Sequence, residues 1–264
     1  MSNALLAVRA LVWREVVRFL RERHRVFGAL VQPLLFWAFF GAGLRASFRP
    51  PGGEGSISYA EYFFPGTVVL ILLFTAIFST FSLIEDRREG FLQGLLVAPI
   101  PRSSLVLGKV MGGTALALAQ GLLVLGCGPL LGFRLSLQGL LGAVPILFVI
   151  AFGLTSLSFS LAWRMDSTQG FHALMTVLLM PLWLLSGAFF PAAGAPYWLR
   201  VLIGCNPLTY GMATFRRALY PAGGPATIGI PRFGPALTVT LLFAAATFAI
   251  AIALARRPAG ARAA

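Results

Sequence analysis

Acidic residues are scarce in this chain. Eight aspartates and glutamates face 21 lysines and arginines across 264 residues, and only 11% of the chain is charged. Soluble domains carry about 25% charged residues, and a chain of this size must still cover its surface with polar groups. A soluble enzyme is therefore excluded. Two cysteines exclude a disulfide scaffold: Cys127 lies within an apolar run, Cys205 in a separate loop, and no bridge between them is expected. The two histidines, His24 and His172, stand far apart without ligand spacing, so no metal site is expected. No phosphate-binding G-x-x-x-x-G-K-[ST] occurs. The nearest fragment, Leu107-Gly108-Lys109-Val110, lacks the upstream glycine and the hydroxyl residue. This chain is thus expected to bind no cofactor, and any ATP energy would have to come from another subunit. Carboxylates are also missing from the middle of every apolar run, which weighs against proton- or sodium-coupled transport. Glu61, Lys109, Arg164 and Asp166 fall near run ends, where long side chains are expected to reach an interface.

What is present is apolar. Hydrophobic residues make up 58% of the chain, with 23 phenylalanines and long aliphatic runs that exclude disorder. The 29 glycines show no triplet period, which excludes a collagen. The pattern predicts an all-α, multi-pass membrane protein of one transmembrane domain. A crossing needs about 20 apolar residues, and six runs supply it, at 26–44, 62–84, 105–131, 137–163, 170–190 and 235–255. A further apolar stretch, 197–215, is interrupted by Gly204 and by Asn206-Pro207. Proline removes a backbone donor that lipid cannot replace. The region 192–220 is therefore predicted to form a re-entrant or interfacial helical hairpin, with a seventh span as the alternative.

The net charge of +13 follows the spans. Its basic residues sit between or beside apolar runs, which suits topology control and contact with lipid head groups rather than nucleic acid. Six spans place both termini on one side. With that side cytoplasmic, 14 of the 21 basic residues fall there, and Arg45, Arg49, Arg134, Arg200, Arg216, Arg217 and Arg232 fall outside. That bias predicts a cytoplasmic membrane protein, bacterial or archaeal, with both termini inside. The first 25 residues interleave arginine with apolar residues, unlike a cleavable signal. Across 3–25, Leu5, Val8, Val12, Val16 and Phe19 share one helical face, while Arg14, Arg18, Arg21 and Arg25 line the other at spacings of 4, 3 and 4. This predicts an amphipathic helix lying in the membrane interface with its arginines toward head groups. It is either a plain topogenic anchor or an elbow that also touches a cytoplasmic partner.

The segment 85–102 after the second run is the most informative. Glu85, Asp86, Arg87, Arg88 and Glu89 end the apolar run. Gly90, Phe91, Leu92, Gln93, Gly94, Leu95 and Leu96 then suggest a short amphipathic helix, stopped by Pro99 and Pro101. Leu92, Leu95 and Leu96 share a face. A solvated loop is one reading. The other is a rigid element seated in a groove of a soluble protein, with charges fixing register and leucines anchoring.

At this point the sequence resembles the permease subunits of type-2 ATP-binding-cassette (ABC) exporters. That family carries an acidic-basic cluster after its second span. Gly-Thr-Leu-Glu follows, then Leu-Leu, a small residue, Pro, a branched residue and Arg. Gly90, Leu92, Leu95, Leu96, Ala98, Pro99, Ile100 and Arg102 stand at matching positions, with Leu107-Gly108-Lys109 following; Phe91 replaces the threonine and Gln93 the glutamate. Asn206-Pro207-Leu208-Thr209-Tyr210, followed by Arg216, forms a second match before the last span. The resemblance implies a half-transporter. A second permease copy would complete the substrate path, and a separate ATPase subunit binding ATP and Mg would seat on the coupling helix, about 85–98. The hairpin would close the outer end as a gate. On residues alone, Asn206 before Pro207 fits a helix-capping turn better than a substrate contact. The substrate-binding residues stay unassigned. A membrane-embedded lipid-modifying enzyme, or a channel or assembly scaffold, is the alternative. An enzyme would need clustered acids or histidines, and only Glu85, Asp86 and Glu89 gather.

Overall fold

A computed structural model describes residues 3–44, 47–48, 57–133 and 135–256. Arg45, Arg49, Arg134, Arg257 and Arg262, which entered the charge comparison, lie outside the described residues. Among the described residues ten α-helices follow in chain order: α1 (Asn3–Arg21), α2 (Arg23–Gly43), α3 (Tyr59–Arg88), α4 (Phe91–Val97), α5 (Arg102–Cys127), α6 (Leu137–Ala162), α7 (Thr168–Trp183), α8 (Tyr197–Cys205), α9 (Pro207–Leu219) and α10 (Phe233–Arg256). Six of these are long and apolar enough to cross a membrane: α2, α3, α5, α6, α7 with its extension to Ala188, and α10. The stretch 197–215 supplies no seventh. It divides into α8 and α9 of 9 and 13 residues, each well short of a crossing.

α3 is the axis of the bundle. It is apolar on nearly every side, and 83% of its span window is buried. A helix apolar all round belongs inside a larger assembly of helices, and α3 packs against α2, α5, α6, α7 and α9. Ser58 caps its first turn by accepting from the Glu61 amide, and Ser136 and Ser167 do the same for α6 and α7. Such a cap contributes about 1 kcal/mol. Between spans, Thr75 Oγ1 donates to Gln120 Oε1 at 2.7 Å, and Trp183 Nε1 donates to the Gly66 carbonyl at 2.8 Å.

Three boundaries differ from the sequence reading. The N-terminal helix does not run through 3–25. Glu22 leaves helical geometry (φ −88°, ψ 73°), so α1 ends at Arg21 and Arg25 belongs to α2. Second, Glu85–Arg88 are not part of the short helix that follows. Nothing interrupts the amide-to-carbonyl ladder there, and α3 continues to Arg88. Third, the short helix begins only after Gly90, whose φ of +79° reverses the chain at a position where a side chain would be strained.

α1 is held against α5 by close approach. A Cβ added at Gly108 would stand 2.7 Å from Leu11 Cβ, and one added at Gly112 would stand 2.7 Å from Glu15 Cβ. Small residues four apart let two backbones touch. Gly112→Leu is therefore expected to push α1 off α5, at about 1–3 kcal/mol or more for overpacking. The readout is a lower detergent-melting temperature together with faster tryptic cleavage in α1. An unchanged Tm would show that α1 is not seated on these glycines.

Candidate functional site

Where the ends of α1, α3 and α5 meet, the chain buries three ionisable side chains. Their exposures are 4% for Glu15 on α1, 0% for Asp86 on α3 and 3% for Lys109 on α5. Lys109 Nζ donates to Glu15 Oε1 at 2.6 Å and also to Asp86. Asp86 accepts from Arg14 through both guanidinium nitrogens, at 2.6 and 2.9 Å, and from Arg18 at 2.6 Å. Ser82 donates to the second Glu15 oxygen. Every carboxylate oxygen thus faces a donor, which is the condition under which a buried charge is tolerated. In turn the hydrogen bond that Arg14 donates to Asp86 raises the guanidinium pKa above its ordinary range.

A more exposed layer surrounds this centre. Glu85 accepts from Arg18 at 2.8 Å and from Arg25 on α2. Arg25 also pairs with Glu22, and Arg18 stands 3.7 Å from both Glu22 and Glu89. The Arg14 guanidinium lies 3.8 Å over the Phe91 ring, tying α1 to α4. Five of the chain's eight acids, Glu15, Glu22, Glu85, Asp86 and Glu89, are in this one network. Nearby, Arg87 binds the carbonyls of Trp163 and Met165 and the Asp166 carboxylate, while Arg88 Nε donates to the Asp166 carbonyl at 2.8 Å. These bonds fasten the last turn of α3 to the α6–α7 connection.

Several sequence expectations change here. Arg14, Arg18 and Arg25 turn to carboxylates rather than to head groups, because Glu85 and Asp86 at the end of α3 lie against the face they line. Arg21 alone of the four is exposed and forms no ion pair among the described residues. The buried stripe of α1 is Leu11, Glu15 and Phe19, whereas Leu5 is 55% exposed. Lys109 does not reach an interface; it is buried among its partners. Glu15 was not singled out by the sequence at all. A signal existed in Gly108 and Gly112, which flank Lys109 and mark the place where another helix sits. α4 also turns differently: Leu92 is buried and Leu95 and Leu96 pack on the core of the bundle. Its outward side carries Phe91, Gln93, Gly94 and Val97, with Arg88 and Glu89 before it. The leucines therefore anchor α4 to its own chain.

At the opposite end, Asn206 terminates α8 and caps α9: its Oδ1 accepts from the Leu208 amide at 2.9 Å, and its Nδ2 donates to the Leu182 carbonyl at 2.6 Å. Pro207 occupies the first turn of α9, where its missing N–H costs nothing. Leu208 is buried, Thr209 Oγ1 donates to the Ile203 carbonyl at 2.7 Å, and the Tyr210 hydroxyl donates to the Gly204 carbonyl at 2.9 Å. These five residues bind α8, α9 and the end of α7 into one corner.

The network around Asp86 makes a direct prediction. Asp86→Ala leaves Lys109 and two arginines facing a void, and breaking a buried pair costs about 3–5 kcal/mol. A large fall in detergent-melting temperature is expected, whereas Glu89→Gln, at a side chain 62% exposed, leaves it nearly unchanged. Equal melting of the two variants would show that the buried carboxylate contributes no more than a surface charge.

Comparison with known proteins places the chain. The family model described as ABC-2 type transporter matches residues 7–220. A protein of Cyanophora paradoxa named as a transport permease, ycf38, is 32% identical over 209 residues, covering 78% of this chain and 71% of the relative. Its namesake in Porphyra purpurea is 29% identical, covering 79% and 72%. The daunorubicin resistance ABC transporter permease protein DrrB1 of Streptomyces coeruleorubidus is 21% identical, covering 87% and 80%.

Proposed function

The chain belongs to the ABC-2 type transporter family, and we propose that it forms the membrane path of an ATP-driven exporter, coupled through α4 to a separate ATP-binding subunit. It is a transporter permease, of a family in which ATP hydrolysis occurs in a partner subunit. The observation that carries the coupling reading is the orientation of α4. Its leucines are used inside the bundle, so α4 is held firmly by this chain. Meanwhile Arg88, Glu89, Phe91, Gln93 and Val97 face outward, with Val97 85% exposed and Phe91 38% exposed. A partner binding ATP and Mg would press on this outward face. The push would enter the last turn of α3 and pass through Asp86 and Lys109 to α1 and α5 together.

In this reading both termini and α4 are cytoplasmic, in keeping with the excess of basic residues on that side. α1 lies in the membrane interface: Leu6, Trp13 and Leu20, seven apart, are 48%, 69% and 58% exposed and form an apolar stripe suited to lipid. Two copies pair to enclose the path, and the α8–α9 corner closes its outer end. A lipid-modifying enzyme is disfavoured because the clustered carboxylates are occupied by arginine and lysine donors, leaving no free general base among them.

Val97→Asp tests the docking face. When it is co-expressed with the ATP-binding subunit, capture of that subunit should fall about tenfold or more, since desolvating an unpaired carboxylate in a contact costs several kcal/mol. The Tm of the permease alone should not move. Full capture with undiminished ATP-dependent transport would remove α4 as the docking element. For the corner, Tyr210→Ala breaks the tie to Gly204, and altered export with normal subunit assembly is expected; unchanged export would sink the gating role.

A further inference from the structure

Arg216, on α9, is a buried cation in unusual surroundings. It is 1% exposed. Its Nη2 donates to the Tyr62 carbonyl at 3.1 Å, and the guanidinium lies 4.1 Å over the Tyr62 ring. Its Nε–H finds no acceptor, and among the described residues it forms no ion pair. A guanidinium presents five N–H donors and keeps its charge at any physiological pH. A carbonyl and a ring use only part of that capacity, and a buried charge without an anion is costly.

Beside Arg216 lies a cavity of about 200 Å³, bounded by α8, α9, the turn after α7 and the segment Ile228–Pro231. The hydroxyls on its wall are already committed to backbone carbonyls. Tyr62 donates to Gly187, Ser186 to Trp183, Thr209 to Ile203 and Tyr210 to Gly204. Among the described residues no aspartate or glutamate lines it. A second cation does: Arg200 on α8, which is exposed and forms no ion pair among the described residues. The side-chain donors still available to a ligand in this cavity, among the described residues, are therefore those of two arginines on different helices.

We propose that this cavity binds a phosphate group, with Arg216 at its floor and Arg200 at its rim. Two guanidinium forks on separate helices suit an acceptor with oxygens on several sides better than a planar carboxylate. The volume admits a head group and not a whole lipid. Ile228, on the cavity wall and half exposed, offers an apolar edge beside which acyl chains would lie. The same chemistry is supplied by a phospholipid head group or by free phosphate. The inference does not depend on the transport reading.

The test uses the full-length protein in uncharged detergent, titrated with fluorescent dioleoyl phosphatidic acid, with dioleoylglycerol as the phosphate-free competitor. Saturable binding is expected, with no competition from dioleoylglycerol. Affinity should fall about tenfold or more in Arg200→Gln and in Arg216→Gln. Arg200→Gln guards against misfolding, because among the described residues the Arg200 side chain forms no hydrogen bond or ion pair, and the variant's Tm should equal the parent's. Arg232→Gln, an equal loss of charge on another exposed residue, should keep full affinity. Competition by inorganic phosphate, beyond that of chloride at equal ionic strength, assigns the site to free phosphate; its absence assigns the site to the lipid head group. Wild-type affinity in Arg200→Gln, or an equal loss in Arg232→Gln, overturns the proposal.

Discussion

The carboxylate of Asp86 is the contact on which the arrangement of this chain depends. It sits at zero exposure on the last turn of the central helix and accepts from Arg14, Arg18 and Lys109. A carboxylate in that position is tolerable only while its donors stay within hydrogen-bond reach. α1, α3 and α5 therefore cannot slide past one another by even part of a turn without uncovering a charge. Replacing such a cluster with apolar residues of similar size need not weaken a protein, whereas removing one member does. Its contribution is accordingly to register more than to net stability. Gly108 and Gly112 make it possible, since without their close approach to Leu11 and Glu15 the Lys109 ammonium would have no carboxylate on α1 to meet.

That constraint also makes α4 mechanically continuous with the bundle. Only Glu89 and Gly90 separate it from α3, and three leucines fix it to the core. Arg14 bears on Phe91 from one side while Arg87 and Arg88 hold the α6–α7 connection from the other. A displacement of α4 is thus shared among α1, α3 and α6 rather than absorbed in a flexible loop. In the proposed coupling through α4 to an ATP-binding subunit, this is the property the connection would need.

Much of this was legible in the sequence, and the limits have a physical origin. Bilayer thickness sets the length of an apolar run, so the six spans could be read directly. Asn206-Pro207 announced its helix break because a capping side chain and a missing donor both act locally. What stayed hidden is what happens between helices. Spacing shows that Leu92, Leu95 and Leu96 share a face, but not whether that face meets a partner or its own chain. Likewise Glu15 and Lys109 are 94 residues apart. Nothing local distinguishes a glutamate among arginines on an interfacial helix from one that fills the buried stripe of that helix. Charge is scarce in the spans, and Lys109 stays off the interface because Glu15 and Asp86 neutralise it within the bundle.

The scarcity of acid also explains why the two ends of the molecule treat buried cations differently. Five of eight acids are used in the network around Asp86, and Asp166 lies at that same end. Lys109 is consequently neutralised by side chains of its own chain. At the other end, Arg216 has a carbonyl and an aromatic face, and Arg200 has no ion-pair partner among the described residues. A formal charge of +13 is therefore unevenly compensated. Where the acids gather, the charges lock helices together. Beside Arg216 no acid lines the cavity among the described residues, and the Arg216 Nε–H keeps a donor that an external anion can satisfy. One composition bias thus produces a closed electrostatic junction at one end of the bundle and an open cationic cavity at the other.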